Sequence, residues 1–301
     1  MNKTNMKNRF KKVTAIFLML GAGSLALAGC DGISIGGKVV EDTVDLKDFD
    51  SVNIDVSSVD VTFTRGDSFQ LTYRTHEQKV PVVTEENGTL TVKQTDAGLS
   101  FSPGQEDIYR ITVPENYDGE IELTLQASAG DINIGRLNVS GDVTTGSGDV
   151  ALSDLEGDRL AVKVDSGDVR GENIKTGQIT FTATSGDIEI KGLRADKCHS
   201  ETASGDLQIK GSEIRNADCV VRYGDVEIND SVIETAVCDS AYGDVEIELH
   251  GADEAYSYKL DTSFGDITVN GQRFGNSYKK DGGAKSISAH TDSGDIEVSV
   301  Q

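Results

Sequence analysis

A short motif recurs at nearly constant spacing through the second half of the 301-residue sequence. In most copies a serine or an aromatic residue precedes Gly-Asp, and two aliphatic residues separated by one position follow. The five intervals from Gly148 to Gly243 are equal in length, and the interval that ends at Gly294 is the longest. Because a repeat of this size buries its apolar side chains only against its neighbours, the sequence predicts a solenoid. The glycines of the motif are Gly130, Gly148, Gly167, Gly186, Gly205, Gly224, Gly243, Gly265 and Gly294.

The residues that follow each glycine alternate between apolar and polar. After Gly186 the sequence reads Asp-Ile-Glu-Ile, and this period of two predicts a strand with one face in water. A second alternating segment precedes the motif, and one repeat of about 19 residues is too short for a strand-helix unit, which needs about 30. We therefore predict an all-β fold, a single-stranded parallel β-helix (β-solenoid) of about 19 residues per coil. Each coil is expected about 4.8 Å above the last.

The repeat divides the chain into a regular and an irregular part. Residues 120–301 carry the regular repeats, whereas residues 38–119 contain shorter β segments. One of these, Ser58–Phe63, matches the motif with Val59 in the position of glycine. We predict that residues 38–119 form a capping part of the same domain, because the open sheet edge of a solenoid needs a cover.

The Gly-Asp pair of the motif is explained by turn chemistry. Glycine reaches positive φ easily, and an aspartate beside it can close an Asx-type turn by accepting a backbone N–H. Stacking of the repeats would place these aspartates in one column, with carboxylates about 4.8 Å apart that repel one another. Calcium binding by this column of aspartates is therefore an alternative role. Turn capping is favoured, because the chain lacks the nine-residue period of calcium-binding β-rolls. The alternative calcium ligands are Asp168, Asp187, Asp206, Asp225 and Asp244.

The N-terminus has the features of an export signal. A basic start without acidic residues precedes an apolar run over residues 13–28. The run ends in Leu-Ala-Gly before Cys30, which resembles the bacterial lipoprotein signal, in which the cysteine is lipidated and becomes the new N-terminus. The resemblance implies a signal peptide over 1–29, a tether over 30–37, and a lipid anchor at the extracytoplasmic face of the cell membrane. The alternative is an ordinary secretory signal with a chance cysteine.

The charge of the chain limits its partners. The net charge of −23 becomes −28 when residues 1–29 are removed, because they contain five basic and no acidic residues. Such a surface argues against nucleic-acid binding, which requires a cationic face. It favours weak, salt-sensitive binding of cationic peptides. An envelope glycan and an envelope protein are the other candidate partners.

Two departures from the repeat are candidate contact surfaces. Tyr223, Tyr242 and Phe264 replace the serine before glycine in three successive copies. Packing of these rings in a solenoid corner is favoured over a stacking platform for a sugar. The longer last interval adds a loop around residues 271–283, although a flexible excursion without function is favoured on the loop evidence alone. The candidate ligand contacts in this loop are Arg273, Phe274, Tyr278, Lys279 and Lys280.

The cysteines that follow Cys30 fit core positions. Cys219 and Cys238 are one repeat apart and share a column, which places their Cα atoms about 4.8 Å apart. Parallel Cβ directions on stacked strands make a disulfide awkward, so reduced core thiols are favoured over a disulfide.

These features together resemble a bacterial family of candidate adhesins built from β-strand repeats, whose function is unassigned. The resemblance rests on the Phe49–Val52 strand, the Ile111–Pro114 segment and the serial Ser-Gly-Asp motifs, and it spans residues 38–301. It implies a right-handed β-helix on the bacterial envelope and, for some members, a link with envelope-stress signalling.

The sequence thus predicts a non-enzymatic, lipid-anchored cell-envelope protein that acts as an adhesin or as a stress-sensing binding scaffold. A polysaccharide-acting β-helix enzyme and a structural spacer are the alternatives. The many equivalent aspartates do not supply the distinct acid and base that such an enzyme needs. No catalytic residue, no metal and no cofactor other than the covalent lipid on Cys30 is predicted.

Overall fold

The computed structural model describes residues 38–94 and 107–301. Within these ranges the regular structure is β-strand, apart from two three-residue 3₁₀ turns at Glu77–Lys79 and Asp253–Ala255. The predicted all-β class is confirmed. The strands are described below as a central group of regular repeats and the two groups that flank it.

The central group pairs in parallel from one repeat to the next. Val150 lies opposite Val169, and Ile188 lies opposite Leu207, so the offset between partners equals the spacing of the motif glycines. These aliphatic side chains are fully buried, because alternate residues of each strand point to the interior. The strands of this group are β8 (Ile121–Ala129), β9 (Ile132–Gly135), β10 (Val139–Ser147), β11 (Val150–Ser166), β12 (Val169–Ser185), β13 (Ile188–Lys191), β14 (Arg194–Ser204), β15 (Leu207–Lys210), β16 (Glu213–Tyr223), β17 (Val226–Tyr242) and β18 (Val245–Leu249).

The N-terminal group consists of β1 (Val39–Asp45), β2 (Ser51–Ser58), β3 (Asp60–Gly66), β4 (Gln70–His76), β5 (Pro81–Glu86), β6 (Thr89–Gln94) and β7 (Ile108–Pro114). β2 and β3 pair in parallel with β8 and β9 on one side and with β6 and β7 on the other. β4 and β5 run antiparallel to β7 and β6, and β1 runs antiparallel to β4. Antiparallel strands therefore cover this edge of the parallel stack.

The C-terminal group consists of β19 (Tyr256–Phe264), β20 (Ile267–Val269), β21 (Gln272–Gly275), β22 (Ser277–Lys280), β23 (Lys285–Ser293) and β24 (Ile296–Val300). β23 and β24 pair in parallel with β17 and β18 on one side and with β19 and β20 on the other. The last coil of the sequence thus lies between two earlier coils. The expected stacking in sequence order is wrong at this end. All coils have the same alternation of apolar and polar residues, so a coil can pack equally well at a position that differs from its order in the sequence.

The segment predicted as an inserted loop is a pair of edge strands. β21 runs antiparallel to β20, and β22 runs antiparallel to β19. Residues 271–283 therefore cover the open backbone edge of the outermost coil, which would otherwise expose unpaired N–H and C=O groups.

Candidate functional site

The motif glycines form a tightly packed column along one corner of the repeats. Gly186 has a φ of +140°, and a Cβ placed on it would lie 2.0 Å from the carbonyl oxygen of Gly167. A side chain is excluded at this corner for two reasons, the backbone conformation and the close approach of the preceding coil. The predicted positive φ at Gly186 is confirmed.

The aspartates beside these glycines form a hydrogen-bonded ladder between coils. The backbone N–H of Asp187 donates to Oδ1 of Asp168 at 3.0 Å, and the N–H of Asp206 donates to Oδ1 of Asp187 at 2.8 Å. The ladder continues through Asp225 and Asp244. The predicted Asx-type turn within one coil is therefore wrong, because each carboxylate bonds to the following coil.

This ladder extends beyond the regular repeats. It begins at Asp60, which accepts the N–H of Asp131, and it ends where Asp295 accepts the N–H of Asp266. The backbone donors offset the repulsion between stacked carboxylates. In the part of the chain that the structure describes, no three His, Cys, Asp or Glu side chains are grouped closely enough to hold a metal ion.

Three aromatic side chains project into solvent from the same corner. Tyr223 and Tyr242 are each 55% exposed and Phe264 is 78% exposed, so the favoured prediction that they pack inside the corner is wrong. The two tyrosine rings stack with their centroids 5.3 Å apart and their planes within 4°. We call Tyr223, Tyr242 and Phe264 the aromatic row. It holds half of the six exposed large apolar side chains found in residues 38–94 and 107–301.

The aromatic row has a gap. Ser293 lies opposite Tyr242 on one side and opposite Phe264 on the other, because β23 is inserted between β17 and β19. Neighbouring strands are about 4.8 Å apart, so the backbones of Tyr242 and Phe264 are separated by about 9.6 Å. We call the space above Ser293, between these two rings, the Ser293 notch.

Carboxylates surround the aromatic row. Asp244 and Asp295 follow Tyr242 and Ser293 by two residues in the chain. Two positions further on lie Glu246 and Glu297, which point outward from paired strands. Burial and the neighbouring carboxylates of Glu227 and Glu297 raise the pKa of Glu246, which indicates a concentrated negative field. The row therefore lies beside an acidic face.

The residues predicted as ligand contacts lie on the edge strands β21 and β22. The Phe274 and Tyr278 rings pack with centroids 4.2 Å apart. Arg273 forms an ion pair with Asp266, and Lys279 forms one with Asp281 at 3.0 Å. The structure thus gives these side chains partners within the chain.

The last of these predicted contacts, Lys280, takes part in a polar cluster. Its Nζ forms an ion pair with Asp253 and lies 5.2 Å from the centroid of the Tyr258 ring. The Tyr258 hydroxyl donates to Asp253 at 2.6 Å, and the Asn270 amide donates to the same oxygen at 2.9 Å. Hydrogen bonds from Lys280 and Tyr258 lower the pKa of Asp253. This cluster fixes the edge strands to the outermost coil.

A buried polar cluster at the other end was not predicted from the sequence. Asp107 accepts hydrogen bonds from Lys79 at 2.7 Å and from the backbone and ring of His76, both at 2.8 Å. Burial alone would raise the pKa of Asp107, but the hydrogen bonds from Lys79 and His76 outweigh it and lower that pKa. Asp107 lies 28 residues after Lys79, and the cluster belongs to no repeat, so no spacing could have revealed it.

A groove of about 750 Å³ crosses the outer face of the central group. Its walls carry charges of both signs that pair between coils, such as Lys175 with Glu156 at 3.7 Å and Arg215 with Asp196 at 2.8 Å. Charged residues of both signs recur at the same repeat position, as in Glu156, Lys175 and Arg194, and this pattern in the sequence could have indicated the groove. Although several of these charges pair with each other, six acidic and three basic side chains line the groove, so it keeps an excess of negative charge.

The thiols are inert core residues. Cys219 lies opposite Cys238 in the paired strands, and both are buried and reduced, as is Cys198. Burial raises the pKa of Cys198 to about 12, and a hydrogen bond with Cys238 together with burial raises the pKa of Cys219. The thiols of Cys198 and Cys219 therefore stay protonated at neutral pH and are poor nucleophiles.

The predicted lipidation site, Cys30, lies outside the described residues. None of the described residues belongs to a helix with the length and apolar character needed to cross a membrane.

The all-β architecture with a repeated parallel register defines a solenoid-like protein. Residues 49–299 match the family model described as Toastrack DUF4097, and the chain belongs to this family. The resemblance inferred from the sequence motifs is thereby confirmed at the level of the family. No curated protein matches the sequence.

Several solved structures are similar to the chain. One is a candidate adhesin from Parabacteroides distasonis ATCC 8503, with 13% identity, a TM-score of 0.49, and coverage of 88% of this chain and 98% of that one. A candidate adhesin from Parabacteroides merdae ATCC 43184 has 14% identity, a TM-score of 0.47, and coverage of 88% and 97%. A candidate lipid-binding protein from Parabacteroides distasonis ATCC 8503 has 15% identity, a TM-score of 0.45, and coverage of 88% and 97%.

Proposed function

We propose that this protein is a non-enzymatic, lipid-anchored component of the cell envelope that binds a surface partner through the aromatic row. The finer fold that goes with this proposal is a right-handed parallel β-helix of about 19 residues per coil. The constant offset between paired strands of successive repeats supports it. Adhesion and a role as an envelope-stress binding scaffold both require such a contact surface. A spacer does not require one.

The observation that carries the proposal is the exposure of Tyr223, Tyr242 and Phe264. The same column holds serine in other coils, such as Ser185 and Ser204, so the corner does not need a ring to fold. Large apolar side chains gathered on a surface indicate an interaction site. Aromatic rings are also the side chains that contribute most to binding at protein interfaces.

A polysaccharide-acting enzyme is the less favoured function. The carboxylates of the ladder share one environment and each uses Oδ1 to accept a backbone N–H, as Asp187 and Asp206 do. Catalysis on a glycosidic bond needs two carboxyl groups in different environments, one acid and one base or nucleophile.

The proposed binding is tested by returning the aromatic row to serine. The triple variant Tyr223→Ser, Tyr242→Ser, Phe264→Ser should keep the wild-type fold and lose most of its binding to isolated bacterial envelopes in a sedimentation assay. Val82→Ser is the matched control, because Val82 is 50% exposed but lies on β5, outside the row. Equal binding by all three proteins would favour the spacer.

The proposed anchor is tested separately at Cys30. Cys30→Ser should release the protein from membranes on cell fractionation, because stable anchoring depends on the acyl chains. The acidic surface gives no electrostatic support for binding to anionic lipids. Equal retention of both forms in the membrane fraction would contradict the anchor.

A further inference from the structure

We propose that the Ser293 notch is a binding site for the guanidinium group of an arginine side chain in a basic peptide or protein partner. This inference rests on the proposed function and names the chemistry of its contact. It concerns one position in the aromatic row, where the inserted last coil places a serine between two rings.

The shape of the notch suits one planar group. Consecutive rings in this row stack, as the 5.3 Å separation of Tyr223 and Tyr242 shows. Ser293 supplies no ring of its own, so one stacking position between Tyr242 and Phe264 is open. A planar group placed there contacts an aromatic face on each side, at about the spacing that neighbouring strands impose.

The two walls of the notch are accessible to a ligand. Tyr242 is 55% exposed and Phe264 is 78% exposed, and Ser293 itself is exposed. A ligand that enters the notch removes apolar ring surface from water without displacing any packed side chain. Because serine occupies the same position in other coils, such as Ser185 and Ser204, neither wall is required to close the core.

The charge around the notch selects a cation. Asp244 and Asp295 lie two residues after Tyr242 and Ser293, and among the described residues neither is within 4.0 Å of a basic group. Each uses Oδ1 in the ladder, to the N–H of Asp295 at 2.7 Å and of Asp266 at 2.8 Å. The second carboxylate oxygen of each takes no part in that ladder. The position is therefore apolar on two sides and acidic along its base.

Two basic side chains near the notch already have partners. Arg273 forms an ion pair with Asp266 beside Phe264. His290 lies 3.4 Å from the carboxylates of both Asp261 and Asp292. These pairs leave Asp244 and Asp295 as the acceptors for an incoming cation.

A guanidinium group meets both requirements of the notch, a planar face for stacking and a positive charge. It is planar and stacks on aromatic faces, and its N–H groups donate to carboxylates in its own plane. A lysine ammonium carries the charge without the planar face. A neutral sugar can stack but gains nothing from the acidic base.

The first experiment compares two peptides of equal charge. Calorimetry with the purified full-length protein would use four arginines separated by glycines, and the matched lysine peptide, at 150 mM and 500 mM salt. We expect the arginine peptide to bind about fivefold more tightly, with the preference retained at high salt, because stacking is less screened than exposed charge pairs. Equal affinities for the two peptides would overturn the inference.

The second experiment fills the notch. Ser293→Tyr should abolish the arginine preference by completing the stack between Tyr242 and Phe264. Ser204→Tyr is the matched control, because Ser204 lies opposite Tyr223 at the far end of the row and its substitution leaves the notch open. Circular dichroism would verify that both variants are folded. Retention of the arginine preference in Ser293→Tyr would also overturn the inference.

Further results separate this inference from the function on which it rests. If the triple serine variant loses envelope binding while neither peptide is preferred, the proposed function stands and the guanidinium site fails. If a neutral oligosaccharide binds the wild type but not Ser293→Tyr, the notch binds a sugar, and the guanidinium site is likewise overturned.

Discussion

The two ends of the stack use the same arrangement of strands but different polar anchors. At each end a coil lies out of sequence order and antiparallel strands cover its edge. The N-terminal anchor, Asp107 with His76 and Lys79, is almost completely buried, with side-chain exposures of 7%, 4% and 13%. The C-terminal anchor, Asp253 with Lys280, keeps about a third of each side chain in water, at 34% and 30%.

The difference in burial predicts that these similar ion pairs contribute unequally to stability. A buried pair that loses one partner leaves an uncompensated charge, whereas a half-exposed pair is replaced by water. The N-terminal edge should therefore depend on its anchor much more than the C-terminal edge does. The following predictions test this comparison, beginning with the coils that join the two ends.

The largest effect is expected at the central corner. Gly186→Val should destabilise the protein by about 3 kcal/mol or more, because of strain and a clash with the adjacent backbone. The control is Gly211→Ala, since Gly211 also has positive φ, +59°, but nothing lies within 4 Å of an added Cβ. Urea unfolding should show a much smaller loss for the control. Equal losses of stability in the two variants would mean that the close contact between coils at Gly186 is not the cause of the destabilisation. The central coils would then not be the tightly packed link between the two ends.

The second effect concerns the buried anchor. Asp107→Asn should lower the free energy of unfolding by about 3 kcal/mol, because Lys79 and His76 lose the carboxylate that compensates them. Hydrogen exchange should increase first in β1 and β4, which the cluster attaches to the stack. Faster exchange at the C-terminal edge instead would contradict the independence of the two ends.

Low pH should remove the stabilisation that the Asp107 carboxylate provides. The pKa of Asp107 is lowered in the folded protein, so its stabilising effect is present above the ordinary carboxyl pKa of about 4 and is lost as pH falls through the folded pKa. The stability difference between wild type and Asp107→Asn should therefore be constant near neutral pH and shrink in acid. Denaturant titrations of both proteins across this range measure it. A constant difference down to the lowest pH would show that the charge of Asp107 is not what stabilises the cap.

The smallest effect is expected at the exposed anchor. Asp253→Asn should cost about 1 kcal/mol or less, since water can replace the lost ion pair with Lys280. The same urea titration measures this loss beside that of Asp107→Asn. A loss as large as that at Asp107 would remove the distinction between the two anchors.

The repeat made the central part of the fold predictable. Alternation after each motif glycine gave the strands, and the interval gave the offset that places Ile188 opposite Leu207. The order of the coils was not predictable, because β23 has the same alternation of apolar and polar residues as the corresponding strand of any other coil. Periodicity also could not identify the Asp107 cluster, whose members meet only in the folded chain.

The candidate site was half visible in the sequence. The sequence shows that aromatic residues replace serine at Tyr223, Tyr242 and Phe264. Their exposure depends on the orientation of this corner of the fold, which the sequence does not give. The gap at Ser293 arises only from the inserted coil. The basic residues of 271–283 were visible as a cluster, yet pairing with acids such as Asp253 and Asp266 depends on the edge strands.

The inserted coil also affects how the chain acquires its structure. In a repeat protein whose units stack in chain order, folding can propagate from each unit to the next as the chain emerges. Here β19 and β20 emerge before β23 and β24 and can pair with β22 and β21, but they have no parallel neighbour in the stack until β23 and β24 are in place. The segment from 256 to 283 must therefore wait while the following residues dock on β17 and β18. The C-terminal edge should be the last part to form, and a chain that stops at residue 283 would lack an interior layer of the stack rather than its outermost layer.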